Sequence, residues 1–116
     1  TTYAVALTGV GLNEKALRQY RLLDRIYREQ NRTERPEYAV LMNNMALLLY
    51  HMDMLAEADR CIAKALAIDE QCGASRSYLA THKRNAALIC AHVGKRDDAL
   101  RLAAESVAEV SEPVLV

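Results

Sequence analysis

The chain has 116 residues, 52% of them hydrophobic and 26% charged, with only two prolines and four glycines. That is enough for one globular core without disulfide staples. It is too poor in Pro and Gly for a disordered, collagen-like or turn-dense all-β chain. Fifteen basic and fifteen acidic residues cancel, so charge gives no support to a general nucleic-acid or membrane-surface role.

Ala, Leu and Arg recur throughout, and all three are strong helix formers. In chain order, helices are expected over 2–9, 12–31, 36–52, 55–70, 75–93 and 95–110. Asn13, Pro36 and Ser75 mark the starts of the second, third and fifth. In the second, Arg18, Arg21, Arg25, Arg28, Arg32 and Arg35 recur at three- and four-residue spacing. This basic stripe is expected to be solvated and paired in part with Glu14, Asp24 and Glu29. As a functional surface it could dock an acidic protein or nucleic acid. Leu17, Tyr20, Leu23, Ile26 and Tyr27 form the helix's other face and are expected in the core. The connections 31–35 and 71–74 are short and polar, and Pro113 ends the last helix before Val114-Leu115-Val116. No interior stretch resembles a domain linker, and no apolar run approaches the ~18 residues of a spanning helix. The first residues, Thr1-Thr2-Tyr3, offer neither a basic n-region nor an initiator Met. The segment is therefore expected to belong to a larger protein. Cys61, Cys72 and Cys90 are odd in number and lack metal-type spacing, which suits a reduced, cytoplasmic setting.

An internal repeat organises these helices. The segment Gly11-Leu-Asn-Glu-Lys-Ala16 aligns with Asp53-Met-Leu-Ala-Glu-Ala58 and with Gly94-Lys-Arg-Asp-Asp-Ala99, so the terminal alanines lie 42 and 41 residues apart. Twelve residues before each stands another alanine: Ala4, Ala46 and Ala87. Gly9, His51 and His92 precede the turns at one register, each followed by an apolar residue. The physical content is a helical hairpin repeated three times. Small residues let two antiparallel helices approach closely, and a Gly or Asp turn reverses the chain.

These residues resemble the tetratricopeptide repeats. The best match is Met42-Asn-Asn-Met-Ala-Leu-Leu-Leu-Tyr50 followed by Ala58-x3-Ile62-x2-Ala65. The period looks like that of the longer-helix variety found in kinesin light chains. The third copy keeps Asn85-Ala-Ala-Leu88 and Ala99-x3-Ala103 but has Ser106 where alanine is expected. The resemblance implies an all-α fold: a right-handed α-α superhelix, or solenoid, of about three hairpins and six helices. The repeats are expected over about 1–35, 36–74 and 75–110, with a tail at 111–116. Another α-hairpin array or a plain helical bundle is the structural alternative.

In that family the first helix of each hairpin lines a concave groove. The resemblance therefore implies a peptide- or partner-binding set of Asn43, Asn44, Leu47, Tyr50 and His51 on one helix, with Arg84, Asn85, Leu88 and His92 on the next. Asn amides can grip peptide backbone, and Arg84, with Lys83 nearby, can bind a carboxylate. The bland alternative is that Asn44 and Asn85 only bridge neighbouring helices, or face solvent. A carboxylate clamp needs basic groups from three repeats, and Ala4, Val5 and Thr8 supply none. His51 and His92 align, with Cys90 near, but show no third metal ligand in sequence; His82 is isolated. No nucleophile-base spacing, phosphate loop or metalloprotease motif is present, and Cys61 and Cys90 sit among apolar neighbours, as inert thiols do. The expected function is therefore a non-enzymatic protein-interaction module with a protein or peptide ligand, no cofactor, no metal, no nucleic acid and no membrane. The alternatives are a regulatory or sensory segment of a larger signalling or transcription protein, and a structural stack that self-associates through its exposed ends or tail.

Overall fold

In the computed structural model, residues 10–111 are described, and they form five helices: α1 (Val10–Glu29), α2 (Pro36–His51), α3 (Leu55–Cys72), α4 (Arg76–His92) and α5 (Arg96–Ser111). The expected helix at 2–9, with Ala4, Val5, Thr8 and Gly9, lies outside the described residues, as does the tail beyond Ser111. α2 and α3 form one hairpin and α4 and α5 the next.

Each hairpin closes on small residues. Ala46 and Ala58 are fully buried, and their counterparts one repeat later, Ala87 and Ala99, are each 9% exposed. Around them Met42, Leu48, Leu49, Ile62 and Ile89 fill a continuous core. Ala39 and Ala65 are both fully buried. In the third copy, Ser106 occupies the Ala65 register, and its hydroxyl donates to the Ala80 carbonyl of α4 at 2.7 Å. The substitution is thus absorbed by a hydrogen bond rather than a clash.

The turns repeat as faithfully as the core. Asp53 (φ 62°) and Gly94 (φ 88°) sit at equivalent positions after α2 and α4, and Asn31 (φ 55°) and Gly73 (φ 64°) after α1 and α3. Each left-handed residue is accompanied by the same bond back across the helix end. Met54 N–H donates to Leu49 at 2.8 Å and Lys95 N–H to Cys90 at 2.9 Å. Arg32 N–H donates to Tyr27 at 2.9 Å and Ala74 N–H to Asp69 at 3.0 Å. These are Schellman closures, which satisfy the last carbonyls of a helix. At Gly94 any side chain pays the left-handed penalty, so Gly94→Ala should lower stability by about 1 kcal/mol. Urea denaturation followed by circular dichroism would measure it.

Two expected start signals behave as read: Pro36 is the first residue of α2, and Ser75 caps α4 by accepting from the Tyr78 N–H at 3.3 Å. The others differ. Asn13 and Gly11 lie inside α1, so neither is a cap or a turn there; the helical run extends N-terminally past both. On α1, Leu17 and Tyr20 are buried and Tyr27 is half-buried, but Leu23 and Ile26 are 43% and 37% exposed. α2 packs on α1 and leaves these two residues uncovered.

Candidate functional site

The first helices of the two complete hairpins, α2 and α4, lie side by side, and side chains 42 residues apart, one position beyond the repeat register, meet across them. Asn85 donates through its amide to Asn43 at 2.9 Å, and both are buried. Further along, the Tyr50 hydroxyl lies 3.3 Å from the His92 ring nitrogens, with the rings edge to face at 5.1 Å. His92 Nδ1 is also 3.0 Å from the Leu88 carbonyl. A carbonyl only accepts, so Nδ1 carries the proton in that contact, and in the neutral ring Nε2 is free to accept from Tyr50. His51 packs edge-on against Tyr50 at 5.4 Å.

The nine residues of the expected binding set thus divide. Asn43 and Asn85 use each other and turn inward. Asn44 is half-buried, with its Oδ1 3.5 Å from Asn43 Nδ2, and Leu47 and Tyr50 are half-buried. His51, Arg84, Leu88 and His92 are exposed. Arg84 holds the register of Asn43 one repeat later, and no carboxylate among the described residues engages it. Lys83 points elsewhere: it pairs with Glu105 at 3.3 Å and Glu109 at 3.5 Å on α5. The Asn43–Asn85 bond makes a direct prediction. Asn85→Ala should cost about 1–3 kcal/mol, because it orphans a buried amide, whereas Asn43→Leu with Asn85→Leu should cost far less. Chemical denaturation of both variants would separate the two.

The charged surface lies on the opposite side. All six arginines of the basic stripe are exposed. Of the carboxylates expected to pair with them, Asp24 holds Arg28 at 3.1 Å, while Arg21 crosses to Glu57 on α3 in a bidentate contact at 2.7 and 3.2 Å. Glu14 and Glu29 form no such pair among the described residues. Tyr38 donates to Asp24 at 2.5 Å; burial, then that carboxylate, raises its phenol far above the usual range. Burial also pushes the Cys61 and Cys90 thiols up, helped by Glu57 and Asp59 respectively, which suppresses thiolate chemistry at both. Among the described residues, no group of His, Cys, Asp and Glu is arranged to hold a metal ion, and no helix is long and apolar enough to cross a membrane.

Sequence reading missed one polar pair altogether. His82, the isolated histidine, is 2% exposed and meets Asp69 of α3 through Nδ1 at 2.5 Å, with Tyr78 stacked over its ring at 6.0 Å. The pair ties one hairpin to the next from the buried side.

Two helical hairpins in one register, closed by alanine columns and matching turns, are the anatomy of a known repeat. The family model described as tetratricopeptide repeat matches residues 37–108. The chain belongs to the tetratricopeptide-repeat family. The matched span holds α3 and α4 whole and nearly all of α2 and α5. No curated protein and no solved structure matches the chain. Tetratricopeptide repeats generally mediate protein–protein interaction and are a non-catalytic module. In this chain the face shared by α2 and α4 belongs to the first helices of the repeats.

Proposed function

We propose that the chain is a peptide-binding tetratricopeptide segment, a right-handed solenoid whose α2–α4 face is the concave groove that receives an extended partner. The observation that carries this reading is the surface composition of that face. Leu47 and Leu88 recur one period apart and offer apolar contact, Leu88 at 41% exposure. Tyr50 and His92 form an aromatic wall at one end. Arg84 adds a cation that no carboxylate occupies among the described residues, suited to a peptide carboxylate. Asn43 and Asn85 support the wall rather than touch the ligand, leaving Asn44 as the amide for peptide backbone.

The test begins with peptides selected by phage display on the immobilised chain. Their affinity for wild type is compared with that for a Leu47→Ala, Arg84→Ala, Leu88→Ala variant that keeps its helical circular dichroism. A loss of roughly ten-fold or more is expected from removing three contacts at a groove centre. Unchanged affinity would sink the groove reading.

A second reading, self-association through the array's end, rests on α5. Leu100, Val107 and Val110 are 66%, 61% and 66% exposed on one flank. In the repeat register Ala103, Val107 and Val110 correspond to Ile62, Leu66 and Asp69 of α3, where the next hairpin packs. Sedimentation velocity over a dilution series distinguishes it: this reading requires a mass above one chain that Val107→Glu reduces.

A further inference from the structure

We infer that the groove between α1 and α3, on the side of the molecule opposite the proposed peptide face, docks an acidic protein segment whose carboxylates flank apolar side chains. Two adjoining hollows of about 180 and 340 Å³ share Lys64 and run between the two helices. Met42 and Met45 line the first and Tyr38 and Ile68 the second. These four residues are buried, so the hollows have an apolar base set beneath a charged rim.

The rim is cationic, and its balance of charges is unusual. Asp24 and Glu57, the carboxylates that line it, are already engaged, by Tyr38 with Arg28 and by Arg21. Arg60 and Lys64 of α3, and Arg18 and Arg25 of α1, are exposed, and no carboxylate among the described residues pairs with them. The corresponding groove one repeat later, between α3 and α5, is the internal comparison. Its three cations are all held: Lys83 by Glu105 and Glu109, Lys95 by Asp59 at 2.6 Å, and Arg101 by Asp98 and Glu105. One groove is closed by its own ion pairs; the other leaves Arg60 and Lys64 on its rim with no ion pair among the described residues. An acidic partner supplies what the second groove has and the first lacks.

Protein fits this groove better than nucleic acid. Among the described residues that line the hollows, the one aromatic ring is Tyr38, which is 3% exposed, so no base can stack on it. The chain as a whole carries no net charge, which leaves little counterion-driven affinity for a nucleic acid. A peptide can place its carboxylates against Arg60 and Lys64 and an apolar residue between them.

The probe is a fluorescein-labelled peptide of repeated Glu-Glu-Leu triplets, titrated against the full chain by fluorescence anisotropy. Wild type should bind it, with affinity falling as salt rises. Arg60→Glu with Lys64→Glu should weaken binding roughly ten-fold or more, as charge reversal at an interface does. Arg96→Glu, exposed at the start of α5 and outside both grooves, should leave it unchanged. Both rim residues are exposed, so the variant should keep its helical circular dichroism; if it does not, Arg60→Gln with Lys64→Gln decides instead. No binding by wild type, equal losses from Arg96→Glu, or undiminished binding by the rim variant would each overturn the proposal. So would oligoglutamate binding as tightly as the leucine-containing peptide, or a polyuridine RNA binding more tightly. Because the Leu47, Arg84 and Leu88 variant tests the other face with its own selected peptides, failure here is distinguishable from failure of the peptide-groove reading.

Discussion

Replacing Asp69 with Ala should cost up to about 3 kcal/mol, the penalty for leaving the buried ring nitrogen of His82 without its hydrogen-bond partner. Asp69 and His82 are 3% and 2% exposed, and each is the other's contact across the α3–α4 step. Without the carboxylate, the imidazole keeps its buried position, under Tyr78 and against α3, but loses the acceptor on Nδ1. His82→Ala should be comparably harmful from the other side. The double variant Asp69→Leu, His82→Leu should recover much of the loss, because two apolar groups of similar size need no partner. Urea denaturation of the two single variants and the double closes the cycle. Additive losses would mean that the pair contributes packing and no coupling. For a domain whose whole stability is about 5–15 kcal/mol, either single change threatens folding at ambient temperature.

The pair also differs from its counterpart one step earlier. Between α1 and α2 the contacts are Tyr38 to Asp24 and the tilted Tyr27–Tyr38 rings at 5.6 Å. Between α3 and α4 they are a histidine and a carboxylate. Successive repeats share their alanines and turns but not these polar contacts. A hairpin that slipped by one repeat would find the wrong partner, which is one way an array of near-identical units keeps a single register.

The helices were legible because periodicity and punctuation agree. The expected spans 36–52, 55–70, 75–93 and 95–110 fall within two residues of α2 to α5. The alanine columns, read as close-approach points, are buried. Side-chain partnerships were harder, because local spacing carries no trace of them. Asp69 and His82 are 13 residues apart across a connection, matching no helical interval. Asn43–Asn85 and Tyr50–His92 are each 42 residues apart. That is one position more than the 41 residues between Ala46 and Ala87 on the same helices, so a signal existed only as a near match to the period. Once a period is known, polar residues about one period apart on the first helices are neighbours, and a matched pair of amides is a candidate bond as much as a ligand grip. The exposure of Leu23 and Ile26 had no such signal, since a periodic apolar face does not say whether a neighbour covers it.

Adjacent residues on α4 should separate stability from binding. Ile89 is fully buried, and Leu88 beside it is 41% exposed. Ile89→Ala should cost about 2–5 kcal/mol, combining lost transfer energy with the cavity left in a close-packed interior. Leu88→Ala should stay within about 0.5 kcal/mol, the usual range for surface changes. In a stack where each hairpin contacts only its neighbours, the Ile89→Ala loss should also be local. Amide exchange should accelerate throughout α4 and α5, while α2 and most of α3, held by their own Leu48, Leu49 and Ile62, should change much less. Uniform acceleration across all five helices would show instead that the two hairpins unfold as one unit. That result would join the stability of the whole chain to the α3–α4 step, where Asp69 meets His82. The two substitutions would then probe a single cooperative interface, and their costs would have to be measured together rather than added.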